Sequence, residues 1–410
     1  MASAETVRSP SGTSALVVGG GIAGMAAGLA LARAGWHVTL FERAEAFGEV
    51  GAGLQMSPNA SRVLRWLGVF DVVDAVAFRP AAAEMRDGTA GTSIYRVDLG
   101  AQAESRWGAP YLHVHRADLH AALAEAARKH GVTLVTGVVA ESYGNRSEGA
   151  RLKLADGTVH TGDVLIAADG LNSALRTVLN GKDAPQFTGQ VAWRGTVPAD
   201  RLPEGHVAPQ ATVWAGPGRH LVTYYLRGGK LVNFVAVEER AMEAGEGWSH
   251  KGDPDKLRAG FAGWHPEVET ILGAVEETFV WGLFERPEQA RWCDGRTVLI
   301  GDAAHAMLPF MAQGAAMALE DVAVLVRRLT EGSAKIADRL LAFEDERFPR
   351  VARVQAQSRS NGLLFHKRTE LGRLFSWAPI AAVAWIAPNI AAAQLDWLYG
   401  YDAVQDLAAV

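Results

Sequence analysis

Short unbroken apolar runs alternate with segments of helical spacing over much of the chain. "SALVVGGGIAGMAAGLALARAGWHVTLFER" gives a strand, a glycine turn, a helix with small residues on its inner face and a second strand ending at Glu42. "YLHVHRADLHAALAEAARKHGVTLVTG" adds strand, helix and strand, while "GDVLIAADG" and "RTVLIGD" are apolar strands that run straight into acid-glycine pairs. Strands without a polar face belong to a parallel sheet covered on both sides. Between Pro185 and Glu285 the texture changes to Val, Thr, Trp and Tyr with turn signals, as in "QATVWAGPGRHLVTYYLRGGKLVNFVAVEER", which reads as a separate sheet. The expected fold is α/β: a discontinuous Rossmann-like domain over 1–78, 100–184 and 286–345, an inserted β-sheet domain over 79–99 and 185–285, and C-terminal helices over 346–410. Leu374 to Leu395 carries no charge and could span a bilayer. Pro379 and Pro388 interrupt it, and Trp377, Trp385 and Trp397 are spaced like packing anchors, so broken helices packed on the body or on a second subunit are expected.

The chemistry sits at the strand ends. Gly19, Gly21 and Gly24 have GxGxxG spacing in a complete βαβ unit, and Glu42 stands about twenty residues on. The glycines suit a tight turn, backbone approach to a pyrophosphate, and close helix packing, and Glu42 suits a ribose hydroxyl. Asp169-Gly170 and Gly301-Asp302 repeat the pattern, with Ser173 and Arg176 on the turn after the first. In a parallel sheet ligands bind beyond the carboxyl ends of the strands, so these pieces belong around one extended cofactor. Arg116 lies where a strand gives way to a helix, at the edge of a pyrophosphate site or in a surface ion pair. The loop before a helix over Met56–Leu67 holds Gly48, Gly51 and Gly53, with Ser57-Pro58 as its cap. His113, His115 and His120 read as structural.

Composition narrows the classes. A 410-residue chain with 49% apolar residues can bury a large core, and a formal charge of −5 offers no global basic field for nucleic acid. One cysteine, Cys293, excludes an internal disulfide and fits a reducing, cytoplasmic setting. The first thirteen residues lack an apolar core and read as a polar, disordered leader.

The order GxGxxG, "RADLHAAL", "AADGLNSALR" and "GDAAHAMLPFMAQGAAMALED" resembles the class A FAD-dependent aromatic hydroxylases, the para-hydroxybenzoate hydroxylase superfamily, over essentially the whole chain. The resemblance implies a glutathione-reductase type of FAD-binding domain with tightly but non-covalently bound FAD. Gly19, Gly21, Ala23, Gly24, Glu42 and Arg43 would hold its adenosine end, and Ala140 would also contact the cofactor. Arg116 and Asp302 would hold the middle, Asp169 and Gly170 would serve both FAD and a passing nicotinamide, and Pro309, Gly314 and Ala315 would meet the ring. NADH or NADPH would be a transient co-substrate, since no second GxGxxG is present. "RHLVTYY" puts His220 and Tyr224 on one strand face and resembles the His-x-x-x-Tyr of the salicylate, hydroxybenzoate and hydroxynicotinate branch. The pair would then be catalytic: His220 a base with a pKa near 7 that ionises a phenol, Tyr224 orienting the substrate, so that the ring can attack a flavin hydroperoxide. Gln55, His220, Tyr224, Pro309, Phe310 and Met311 would line the substrate, with Leu308 helping to exclude water, and Trp193-Arg194 would pack beneath the pocket.

Departures bound the substrate. Hydroxynicotinate hydroxylases carry histidines where Phe310 and Gln55 stand, and gentisate-forming hydroxylases carry glutamine at Pro309. The expected activity is NAD(P)H- and O2-dependent hydroxylation of a phenolic, salicylate-like acid by a monomer or homodimer. An N-heteroaromatic acid, a flavin enzyme that does not hydroxylate a ring, and a non-catalytic flavoprotein stay open.

Overall fold

A computed structural model describes residues 6–8, 13–46, 52–182, 185–241, 250–286, 291–405 and 407. Gly48 and Gly51 lie outside the described residues.

Among the described residues, a six-stranded sheet runs in the order Cys293–Asp294, Thr297–Leu299, Val164–Ala167, Ser14–Val18, His37–Phe41, Thr133–Val135, parallel throughout except at the first pair. Ser14–Val18, Val164–Ala167 and Thr297–Leu299 are buried at every position, because helices cover one face and a small four-stranded sheet the other. The helices Ile22–Arg33, Arg116–Lys129 and Gly314–Thr330 and the small-sheet residues Ala150, Leu152 and Leu154 all enter one core. In register, Ala167 pairs with both Val18 and Leu299. The three central strands therefore end level, and Gly19, Asp169 and Gly301 leave the sheet side by side. The small sheet includes Thr6–Arg8, parallel to Val159–Gly162, so these three residues of the expected disordered leader pair by their backbone as a strand.

An eight-stranded sheet runs His250–Gly252, Thr278–Glu285, Gln186–Pro198, Leu231–Glu239, Arg219–Leu226, Ala211–Gly216, Ala82–Asp87, Ser93–Asp98. One face packs on helices Pro254–Gly260 and Pro266–Gly273 through Trp193, Trp214, Phe234 and Phe261. The other face meets Leu308, Phe310 and Phe365. The 30-residue helix Ile336–Phe365 then crosses to the tail helices Glu370–Ile386, Pro388–Ala393 and Asp396–Tyr399.

Three local expectations give way here. Pro379 lies inside an unbroken helix; the chain breaks at Pro388. Trp377 is buried and Trp397 packs on the core, but Trp385 is 84% exposed and anchors nothing in the fold. The early helix is Pro58–Trp66, and Ser57 does not cap it with its side chain. No helix among the described residues is long and apolar enough to cross a membrane.

Candidate active site

A cavity of about 1320 Å³ opens where the three strand ends meet the inner face of the large sheet. It brings together Gly21, Ala23, Gln55, Arg116, Gly170, Asp302, Pro309, Phe310, Met311, Gly314 and Ala315 with His220 and Tyr224. Gly19, Gly24, Glu42, Arg43, Ala140 and Asp169 do not line it.

The glycine turn has the shape of a cradle. Gly19 has φ +102° and presses on Ala168; a Cβ on Gly24 would fall 1.8 Å from the Gly19 carbonyl, so neither position admits a side chain. Gly21 faces open space. Glu42 accepts from the Gly20 and Ala44 N–H groups at 2.6 and 2.9 Å, which leaves lone pairs on both oxygens, and Arg43 beside it is exposed. Val138 N–H bonds to the Glu42 carbonyl, so Ala140, at the start of its strand, follows two residues on. The Asp169 Oδ2 caps helix Ala174–Asn180, while Oδ1 is buried without a partner and burial raises the carboxyl's pKa. An orphaned buried oxygen at a strand end calls for a donor the protein does not supply. The cradle, the orphan oxygen next to the lining residue Gly170 and a cavity of this volume together fit a dinucleotide such as FAD.

The Gly301–Ala315 segment is held from three sides. Gly301 adopts φ +57°, and a Cβ there would meet Ala23 and Ala318 at 3.2 and 3.3 Å. The fully buried Arg176 donates to the carbonyls of Ala303 and Ala304 at 3.1 and 2.6 Å. From the long helix Gln355, Ser358 and Asn361, spaced by three on one face, donate to the carbonyls of Ala306, Leu308 and Phe310 at 3.0, 2.7 and 3.1 Å. Asp302 itself stays exposed on the cavity.

Beneath the loop lies a buried charge network. Asp321 Oδ2 accepts from Gly301 N–H at 3.0 Å and meets His305 Nε2 at 2.5 Å, and Arg347 bridges Asp321 and Glu320 at 2.8 and 2.7 Å. Arg350 and Asn59 complete Glu320, and Gln313 links Asn59 to Ser57. Despite burial, Arg347 and Arg350 hold the Glu320 carboxyl, and His305 and Arg347 hold the Asp321 carboxyl, below the usual range. Ser57 is drawn into this network instead of capping its helix.

On the large sheet, pairing puts Ala192, Val237, His220 and Ala215 in one inner row, Arg194, Val235, Val222 and Val213 in the next, and Thr196, Asn233, Tyr224 and Ala211 in the third. Trp193 packs on the outer face and donates to Glu238. Arg194, by alternation, points into the cavity rather than beneath it, its Nε buried without a partner and its guanidinium 4.3 Å above Trp281. It lies two strands, about 10 Å, from Val222. Tyr224 is buried with its pKa raised by desolvation, and a Cβ on Gly53 would fall 2.5 Å from its ring.

His220 departs from expectation. It is 1% exposed, stacked edge-on to Phe310, with Nδ1 2.6 Å from His366 Nε2. Burial, and then His366, push its pKa well below 6.5, so it is no free imidazole poised near pH 7. His115 caps helix Arg116–Lys129 and His120 bonds to the Gly20 carbonyl.

The family model described as "FAD binding domain" matches residues 12–358. The chain belongs to this family, as a class A flavin hydroxylase. It is 40% identical to a 3-amino-4-hydroxybenzoate 2-monooxygenase of Streptomyces platensis, over 85% of this chain and 88% of that one. It is 35% identical to a 6-hydroxynicotinate 3-monooxygenase of Bordetella bronchiseptica, over 94% of each. Among solved structures it resembles a salicylate hydroxylase substrate complex (TM-score 0.81, 28% identity, 96% of this chain and 97% of that one). HpxO of Klebsiella pneumoniae, solved with FAD and uric acid, superposes with TM-score 0.81 and 25% identity, over 93% of this chain and 97% of that one. This class A hydroxylase is thus an FAD-dependent monooxygenase with a Rossmann-like cofactor domain.

Proposed function

We propose that the protein hydroxylates the ring of a phenolic aromatic acid, with Arg194 holding the carboxylate and His220 and Tyr224 facing the hydroxyl. One observation carries this reading: a half-buried cation whose Nε lacks a partner and a buried histidine-tyrosine pair share one face of the sheet, two strands apart, on a floor built mainly of Ala and Val. An anionic group at one end and a phenol at the other would satisfy both.

When bound, FAD supplies reduction by NAD(P)H and activation of O2 for transfer of one oxygen atom. Gly19, Gly21, Ala23 and Gly24 would receive its pyrophosphate, Glu42, Arg43 and Ala140 would flank its adenosine, and Arg116 and Asp302 would bond its middle. Asp169 and Gly170 would serve both FAD and the nicotinamide. Pro309, Gly314 and Ala315 would border the ring, where the N-terminus of helix Gly314–Thr330 favours negative charge. His220 accepts the phenol proton, and an ionised hydroxyl makes the ring electron-rich. Leu308, Phe310, Met311 and Gln55 wall the substrate and keep out water that would waste the activated oxygen.

The relatives' substrates, an aminohydroxybenzoate and a hydroxynicotinate, support an aromatic acid of this size. Phe310 and Gln55 supply no titratable group for a pyridine nitrogen and favour a benzoate. A homodimer is supported by the exposed apolar side chains of Leu371, Phe375, Trp385 and Ile386 on one tail helix, and a cytoplasmic site of action by the single buried thiol.

The test is NADH and NADPH oxidation across hydroxybenzoates, aminohydroxybenzoates and hydroxynicotinates, with hydrogen peroxide assayed alongside. Stimulation with little peroxide supports hydroxylation. Stimulation by none, or return of all the oxygen as peroxide, removes it.

A further inference from the structure

The low basicity of His220 poses a problem, because a base that resists protonation cannot store the proton of a bound phenol. Its surroundings supply an exit. His220 Nδ1 lies 2.6 Å from His366 Nε2, and His366 Nδ1 lies 3.0 Å from Glu239 Oε1. The other Glu239 oxygen pairs with Arg368, which is 72% exposed. A line of three titratable groups thus runs from the cavity wall to the surface.

We propose that His366 and Glu239 carry the proton that His220 takes from a bound phenol out to solvent. The inference rests on the reading of the cavity as a phenol hydroxylation site, and it names two residues as part of that site, one at the end of strand Leu231–Glu239 and one at the long helix's end. Tautomers give the direction. An ionised Glu239 only accepts, so His366 carries its proton on Nδ1 and presents a bare Nε2. His220 must then donate from Nδ1, which leaves its own Nε2 unprotonated on the cavity side. Gln190 Nε2 approaches His366 Nδ1 at 3.4 Å, a longer contact than that of Glu239, and leaves the assignment unchanged.

The transfer balances with no other reactant. The phenol O–H breaks as His220 Nε2–H forms; His220 Nδ1–H passes to His366 Nε2; His366 Nδ1–H passes to Glu239 and on to water. Each imidazole gains a proton on one nitrogen as it loses one from the other, so neither has to hold a charge. That relieves the penalty which burial imposes on an imidazolium. Burial above all disfavours protonation of His366; of the charged groups around it, Glu239 favours protonation, and Arg219 and Arg368 oppose it. The net effect lowers its pKa and keeps it neutral at rest.

The test uses the FAD-loaded protein and a nitro-substituted hydroxybenzoate whose phenolate absorbs visible light. Stopped-flow mixing, without NADH, reads phenolate formation as a function of pH. In His366→Ala the rate is expected to fall about 100-fold with affinity and FAD content retained, and added imidazole is expected to restore it. Glu239→Gln, which keeps the side chain's shape but cannot take up the proton, is expected to slow it too and to alter its pH profile. Phenolate formation at the parental rate in both variants overturns the relay. So does slowing that comes with lost FAD and ignores imidazole, because that marks a packing role. Failure of the hydroxylation reading shows separately, as phenolate formation in the parent protein without oxygenated product in the NADH assay.

Discussion

Arg194 illustrates how one residue's direction decides its role. The Trp193-Arg194 pair is plain in the sequence, but strand alternation sends its members to opposite faces, and only the neighbouring elements say which face holds the cavity. Replacing Arg194 by Met should raise the Kd of the aromatic acid about 100-fold, as expected for a charge pair lost from a cavity wall, and leave an uncharged phenol unaffected; titration of both ligands by flavin absorbance reads the difference. Gly53 is a second such position. A methyl group there would strike Tyr224, so Gly53→Ala should retain FAD while more of the consumed oxygen returns as peroxide. Asp302 is exposed on the cavity, and Asp302→Ala should yield protein depleted of FAD, whereas a fully yellow variant contradicts its proposed role. The His220-Tyr224 pair was legible because a strand face needs only local spacing. His366, 146 positions from His220, left no local signal that could link the two.

At the scale of elements, the loop after Gly301 owes its shape to neighbours distant in sequence. Its glycine and aspartate are readable in "GDAAHAMLP", yet its carbonyls are met by Gln355, Ser358 and Asn361 and its base by Arg347. Arg347→Met should cost about 3–5 kcal/mol, since it takes from two buried carboxylates the guanidinium that bridges them, and urea unfolding followed by tryptophan fluorescence measures it. Ser358→Ala removes one carbonyl's partner and should cost about 1–3 kcal/mol. The adjoining "LED" at 319–321 gave no hint of this network, because acids in a helix sequence ordinarily mark a solvated face. Here that face turns inward onto the long helix. Pro379 fails as a helix breaker for a related reason: packing of Trp377 and Ile380 on the sheet helps to outweigh the lost backbone bond.

For the molecule as a whole, buried histidines set the response to acid. Burial pushes His113 down to about 3 and His220 well below 6.5. Both stay neutral when folded and take up protons on unfolding, so their contribution is complete above about pH 6.5. It is lost as pH falls toward the folded values, at about 1.4 kcal/mol per pH unit for each group. The carboxyls of Glu320 and Asp321 act in the same direction only below the usual carboxylate range, near pH 4. The urea midpoint should therefore fall between pH 7 and pH 5, and His113→Leu should flatten that fall; an unchanged slope in the variant assigns the proton uptake elsewhere. The α/β class, the βαβ cradle, the strand-end acids and the family were legible because each depends on residues close together in the chain: glycines that permit a turn, apolar runs that only a covered sheet accepts. The face Arg194 presents, the tautomer of His220, the inward acids of the core helix and the seating of the tail were decided by tertiary structure. Each depends on which distant group comes within hydrogen-bond reach and on how much water burial removes, and neither quantity is carried by local spacing.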